Sequence, residues 1–234
     1  GQASTGVLLE DVDGDGDLDA LINGIGTGTR LFINHGAGRF VERLDSGLIG
    51  SGGSHSMAMA DVDGDGDLDL YVVNYRTTTW QDRPPGERRS VRMVAGRTVV
   101  KPADRCDWNS DVCSSDLEAT GGVTLIELGE PDVLYLNDGA GRFQPVSWID
   151  GRFRDGQGAA LIEPPRDWGL SAAFHDLNGD GFPDLYVCND FFHSRDRVWI
   201  NDGIGHFAAA HPEMIRGMTE KSMAEARGDN RWDG

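Results

Sequence analysis

The sequence predicts an all-β chain folded as a partial ring of about three to four four-stranded β-propeller blades. Three observations support that. "VLLEDVDGDGDLDALING" (7–24), "MAMADVDGDGDLDLYVVN" (57–74) and "AAFHDLNGDGFPDLYVCN" (172–189) are copies of one phrase. Each is followed by a second shared phrase, "RLFINHGAGRF" (30–40), "VLYLNDGAGRF" (133–143) or "RVWINDGIGHF" (197–207). The runs "DLYVV", "LYLN" and "RVWIN" are short, β-rich and nearly continuously apolar, as in strands buried on both faces.

Each unit therefore reads strand, acidic loop, strand, connection, strand, Gly turn, strand. The turn "NDGAGRF" sets Asn, Asp and Gly between two strands, a tight-hairpin signal. "GIGTG" (24–28) lacks the strand-to-helix context of a dinucleotide loop and is read as a blade turn. The acidic loops begin at 11, 61 and 176, so the middle unit carries an insertion at about 76–131. One partial propeller domain is expected over 1–234, with blades at about 5–50, 51–145 and 165–212 and a further blade starting at 213–234. A blade buries both faces only against neighbours, so so few blades imply a larger or an incomplete ring.

The charge is as localised as the repeats. Asp and Glu total 39 against 21 Lys and Arg, a net −18. Residues 11–19 and 61–69 hold five Asp each and 176–184 hold three, so setting those 13 aside leaves 26 acids against 21 bases, or −5. The acidity belongs to three loops rather than to a polyanionic surface or a disordered tail. Nucleic acid is excluded as a partner on charge. No apolar run is long enough to span a membrane. The chain does not open on Met or a signal pattern, and with its stop at "RWDG" it reads as an interior piece of a longer protein. Cys106, Cys113 and Cys188 suit neither a disulfide framework nor a zinc site.

Five carboxylates within nine residues repel one another unless a cation sits among them. Numbering the loop 1 to 9, acids or Asn stand at 1, 3, 5 and 9: Asp11, Asp13, Asp15 and Asp19; Asp61, Asp63, Asp65 and Asp69; Asp176, Asn178, Asp180 and Asp184. Gly stands at 4 and 6 in every copy, letting alternate oxygens curl around one ion. Position 7 (Asp17, Asp67, Phe182) varies, as expected if it offers its backbone carbonyl. Positions 2 and 8 are apolar (Val12, Leu18; Val62, Leu68; Leu177, Pro183) and are expected to pin the loop to the core. Such a set of hard oxygens suits Ca²⁺ rather than Mg²⁺ or Zn²⁺. An EF-hand needs Glu at position 12, where this chain has Ile22, Val72 and Val187. About three structural Ca²⁺ sites are expected, the third weaker because of Asn178, with affinities suited to millimolar external calcium. Three ions would bring the formal charge from −18 to −12.

The repeated D-x-D-G-D-G-x-x-D between strands resembles the FG-GAP/VCBS repeat of integrin α-type seven-bladed propellers and of bacterial exported proteins. "GEPDVLYLNDGAGRF", "PPRDWGLSAAFHDLNGDGFPDLYVCNDF" and "RVWINDGIGHF" are similar to the ASPIC/UnbV-type propellers that include cartilage acidic protein. The resemblance covers about residues 5–75 and 125–234. It implies a calcium-binding propeller, extracellular, periplasmic or at the cell surface, with no established catalytic residues. A fourth loop beginning at Asp229 matches at Asp233 and Gly234 but departs at Arg231.

Inside the insertion, "DWNSDVCSSDL" (107–117) differs by one residue from a translated sequencing adapter, so that segment is read as an assembly artefact and residues near 100–122 are expected to be poorly ordered or arbitrarily placed. The other reading, a small Cys106–Cys113 disulfide loop, is set aside. "PPGERRSVR" (84–92) is read as a solvated loop, and Arg227-Gly228-Asp229 as a chance tripeptide. No hydrolase, metalloprotease or nucleotide-binding motif occurs. His35 and His206 belong to Gly turns, and His175 precedes a loop. "NDFFHSRDR" (189–197), with Asp190, His193 and Arg195, is the best candidate ligand surface. The favoured reading is a non-catalytic, calcium-stabilised module for adhesion or for binding an extracellular protein or glycan. The alternatives are the propeller part of a secreted lyase or hydrolase and a purely structural spacer.

Overall fold

The computed structural model describes residues 4–77, 92–94, 97–99, 128–190 and 196–210. The adapter-like stretch, Cys106, Cys113, His193, Arg195, the Arg-Gly-Asp tripeptide and Asp229 and Asp233 lie outside those residues. The chain divides into two units, Gly1–Thr77 with Gly129–Gly234, and Thr78–Leu128.

Strands follow in the order β1 (Ser4–Glu10), β2 (Asp19–Gly24), β3 (Gly28–Asn34), β4 (Phe40–Glu42), β5 (Ser54–Ala60) and β6 (Asp69–Asn74). The second unit contributes β7 (Arg92–Val94) and β8 (Arg97–Val99), which pair as an antiparallel hairpin. The first unit resumes with β9 (Val133–Asn137), β10 (Phe143–Pro145), β11 (Phe153–Arg154), β12 (Gly169–His175), β13 (Asp184–Asn189), β14 (Arg197–Asn201) and β15 (Phe207–Ala209). The protein is all-β, with no helix among the described residues, and therefore none long and apolar enough to cross a membrane.

Three sheets form the first unit: β1-β2-β3-β4, β10-β9-β6-β5, and β11-β15-β14-β13-β12. The first two are the four-stranded antiparallel blades that the sequence predicts. The third carries a fifth strand, because β11 pairs in parallel with β15. That addition follows from burial. Phe153 is completely buried against the rings of Trp148, Trp199 and Phe207. Its strand satisfies its backbone by accepting from Phe207 N onto the Arg152 carbonyl at 2.7 Å.

The sheets stack face to face, and the middle one shows why its strands read as unbroken apolar runs. Leu70, Val72 and Tyr135 pack with Val12, Leu21, Leu31 and Ile33 of the first sheet. Tyr71, Val73 and Leu134 pack with Leu185, Val187 and Trp199 of the third. Successive side chains point to opposite faces, so β6 feeds both cores. The outward face of the first sheet keeps the other half of that alternation: Leu8 packs inward, while Val7 and Leu9 are 66% and 52% exposed. The innermost strands run beside one another, with Thr5 Oγ1 donating to the Ser54 carbonyl at 2.5 Å and Ile25 bridging Gly53. "GIGTG" closes the β2–β3 hairpin, as expected of a blade turn.

Candidate metal centres

Each acidic loop joins two adjacent strands of its sheet, β1 to β2, β5 to β6 and β12 to β13, and the registers end identically, at Glu10↔Asp19, Ala60↔Asp69 and His175↔Asp184. The backbone must reverse tightly between those pairs. The position-1 carboxylate organises the reversal. Asp11 accepts from Gly14 N at 2.8 Å, Asp15 N at 3.2 Å and Gly16 N at 2.9 Å. Asp61 accepts from Gly64 N and Gly66 N at 2.8 and 3.0 Å, and Asp176 from Gly179 N and Gly181 N at 2.7 and 2.9 Å. The two glycines of each loop have φ between 74° and 96°, where a side chain would be strained, which is why both positions are Gly in all three copies.

That curl brings Asp11, Asp13 and Asp15 together, and likewise Asp61, Asp63 and Asp65. In each trio one oxygen per residue lies within 4.8 Å of the others. Asp13 Oδ1 and Asp63 Oδ1 are buried and have no hydrogen-bond partner. A buried carboxylate oxygen left without a donor costs free energy. An all-oxygen donor set with an orphaned atom at its centre fits a hard divalent cation. The electrostatics agree. Loss of water pushes the Asp63 carboxyl up, and Asp65 and Asp61 add repulsion, against the opposing pull of the Asp65 N–H and, less, of Arg152. Burial likewise raises Asp19, with Asp13 and Asp15 adding to it.

The third loop differs. Asn178 Nδ2 donates to Asp180 Oδ2 at 2.8 Å, so the amide closes the cluster on itself. At Asp176 loss of water is the largest single effect and raises the carboxyl, but the N–H groups of Gly181, Gly179, Asp180 and Asn178 together outweigh it and hold it below the ordinary range. All of residues 176–182 are exposed.

The other expected positions do different things. At position 7 the side chains of Asp17, Asp67 and Phe182 lie against Gly36, Gly139 and Gly203, turns of their own sheets. Gly139 has φ 69°, where a side chain is strained, and a Cβ there would also stand 2.4 Å from Asp67 Oδ2. Position 9 is completely buried in all copies and spends both oxygens on backbone N–H groups. Asp19 accepts from Val12 N and Asn34 N at 3.1 and 2.7 Å, Asp69 from Val62 N and Asn137 N at 3.0 and 2.9 Å, and Asp184 from Leu177 N and Asn201 N at 2.9 and 2.8 Å. Burial, with repulsion from Asp63 and Asp65, pushes Asp69 up to about 7 even against those two bonds.

The expectation that positions 2 and 8 both pin the loop needs correction. Val12 and Val62 are buried, but Leu18 is 53% and Leu177 40% exposed. Position 2 is buried where the Gly turn of the next sheet covers it: Gly141 approaches Val12, and Gly205 N donates to the Val62 carbonyl at 3.0 Å. Position 8 is less covered: Leu18 is exposed, and Leu68 and Pro183 are half-buried.

Two recurring features come into view only in the structure. The Asn of "FIN", "YLN" and "WIN", which the sequence shares between the strand run and the Gly turn, ends its strand: Asn34 closes β3, Asn137 β9 and Asn201 β14, the last two buried. The turn proper is built by the following Asp: Asp138 accepts from Ala140 N and Arg142 N, Asp202 from Ile204 N and His206 N. The second feature is a Tyr–Asp staple, Tyr71–Asp132 at 2.9 Å and Tyr186–Asp196 at 2.8 Å. The repeated Tyr in "DLYVVN" and "DLYVCN" was its only signal. Of the candidate ligand surface, Asp190 accepts from Tyr75 Oη at 3.1 Å, and Tyr75 packs edge-on against Trp168. His206 Nδ1 lies 3.1 Å from Asp202, and His175 is exposed at the end of β12.

With this geometry in place, residues 11–72 and 123–187, more than half of the chain, match the FG-GAP-like repeat. No curated protein matches the chain.

Proposed function

The chain belongs to the FG-GAP-like repeat family, and from that premise we propose that it is a non-catalytic β-propeller module whose acidic loops hold Ca²⁺ as a structural ion. The family is typically a structural propeller module. The observation that carries the calcium reading is the pair of orphaned, buried oxygens, Asp13 Oδ1 and Asp63 Oδ1, each inside a trio of carboxylates. Asp11, Asp13 and Asp15 would hold one ion and Asp61, Asp63 and Asp65 a second. Asp176, Asn178 and Asp180 offer a weaker third. The backbone carbonyls of Asp17, Asp67 and Phe182 and the spare lone pairs of Asp19, Asp69 and Asp184 are further donors. A bound cation neutralises the crowded carboxylates. The chain's own contribution is to hold them in place through the glycine curls and the position-9 staples. Binding the folded state alone, the ion stabilises it by linkage.

The same reading places the module where calcium is millimolar, extracellular, periplasmic or at the cell surface, with a role in adhesion or in binding a protein or glycan. Scanning calorimetry of the full chain tests the calcium reading. Calcium at about 2 mM should raise Tm by about 4 °C or more, and EGTA should reverse the gain. Asp13→Asn and Asp63→Asn should each remove part of it, and equimolar Mg²⁺ should give less. A Tm indifferent to EGTA defeats the proposal. A glycan and protein array separates an adhesive module, which should show a saturable ligand, from a spacer, which should show none.

A further inference from the structure

The three loops are joined to one another by an unbroken file of buried hydrogen bonds. In the first loop Asp19 Oδ2 accepts from Val12 N at 3.1 Å. The carbonyl of the same Val12 accepts from Asn137 Nδ2 of the neighbouring sheet at 2.9 Å. Asn137 N in turn donates to Asp69 Oδ1 of the second loop at 2.9 Å, and Asp69 Oδ2 accepts from Val62 N at 3.0 Å. The pattern then repeats. The Val62 carbonyl accepts from Asn201 Nδ2 at 2.9 Å, and Asn201 N donates to Asp184 Oδ1 of the third loop at 2.8 Å. Asp184 Oδ2 accepts from Leu177 N at 2.9 Å. Asp19, Asp69 and Asp184 are 0% exposed, and Asn137 and Asn201 are 6% and 1% exposed, so water cannot substitute for a broken link between Val12 and Asp184; only the terminal Leu177 bond is part-buried.

Each of these asparagines thus holds two loops at once. Its backbone N–H fixes the position-9 carboxylate of its own sheet, and its carboxamide fixes the position-2 peptide of the sheet before. Position 2 lies between the first two ligand candidates of its loop, Asp11 and Asp13 or Asp61 and Asp63. We propose that Asn137 and Asn201 are positioning residues that couple neighbouring loops, so that filling one loop with a divalent cation raises the affinity of the next. This rests on the reading of the loops as cation sites. An ion that draws Asp11 and Asp13 into place immobilises the Val12 peptide between them. That immobilises the Asn137 carboxamide, and through its main chain the Asp69 staple. The second ion then meets a loop already ordered and forgoes part of that entropic cost. The coupling is reciprocal, because it is a single free energy shared by two sites.

Calcium titration calorimetry of full-length chains with loops silenced by isosteric Asp→Asn changes measures the coupling directly. Asp176→Asn with Asp180→Asn silences the third loop throughout. The affinity of the second loop is then compared with the first loop intact and with it silenced by Asp11→Asn and Asp13→Asn. The intact first loop should tighten the second by about fivefold, and Asn137→Ala should reduce that ratio to one. A purely structural asparagine would lower Tm without changing the ratio. A ratio of one with Asn137 in place, or a ratio that survives Asn137→Ala, overturns the coupling while leaving the cation sites standing. If Asn137→Ala does not fold, the ratio in the Asn137 background decides alone. Absence of calcium binding in the unaltered chain overturns the site reading itself.

Discussion

Asp132 stands just before β9, where Asn74 N donates to one oxygen at 2.7 Å and Tyr71 Oη to the other at 2.9 Å. Its twin, Asp196, takes the same two bonds from Asn189 N at 2.9 Å and Tyr186 Oη at 2.8 Å. Loss of water dominates at Asp132 and, with repulsion from Asp167, pushes its carboxyl up to about 7 despite both bonds and nearby Arg197. A folded-state value above the unfolded one, about 3.9, means that folding favours the protonated form. The stability this group supplies is fully present below pH about 4 and is lost as pH rises to about 7. Asp132→Asn removes the titration. Its stability in urea should therefore fall by at least about 1 kcal/mol less than that of the parent between pH 5 and 8. Parallel pH profiles for the two chains would show instead that Asp132 is ionised throughout. The pairing was not legible in the sequence, beyond the repeated Tyr, because its two halves stand 61 residues apart in the middle sheet and only 10 apart in the third.

At the scale of elements, strands with a repeating phrase were readable and strands without one were not. β6 and β13 announce themselves as "DLYVVN" and "DLYVCN", and the middle sheet buries both of its faces because its apolar residues run without alternation. β11 is two residues long, pairs in parallel with a strand more than 50 positions later, and appears in one sheet only. Its apolar anchor is one side chain, beside its backbone pairing with β15. Phe153 lies 4.0 Å from Trp148, stacks on Phe207 at 5.2 Å and meets Trp199 edge-on at 5.3 Å. Phe153→Ala should cost about 3–5 kcal/mol in urea unfolding. The control Phe40→Ala, on a residue 44% exposed, should stay within about 0.5 kcal/mol. A cost near that of the control would place the fifth strand's anchor elsewhere. The loops fall between these cases. Alternate acids separated by glycine betrayed the trios at positions 1, 3 and 5. The same residue type at position 9 concealed a second task, stapling backbone N–H groups, which spacing cannot distinguish from ligation.

For the whole molecule the deciding quantity is where the charge sits. A net −18 spread evenly would be screened over a Debye length of about 8 Å at physiological salt. Thirteen of the acids instead crowd into three loops, two of which hold trios of oxygens within 4.8 Å of one another, closer than the screening length. Simple salt therefore relieves repulsion between loops but little of that inside them, whereas an ion seated among the oxygens removes both. The expected outcome in thermal unfolding is asymmetric. For the EGTA-treated chain, raising NaCl from about 0.05 to 0.5 M should recover a minor part of the Tm gain that about 2 mM Ca²⁺ gives at low salt. For the calcium-loaded chain the same salt step should add almost nothing. Equal gains from NaCl and Ca²⁺ would mean that the clusters respond to ionic strength alone and seat no ion. A charge-neutral control, sucrose at matched osmolality, should raise both forms alike, because exclusion from the surface does not depend on where the aspartates lie.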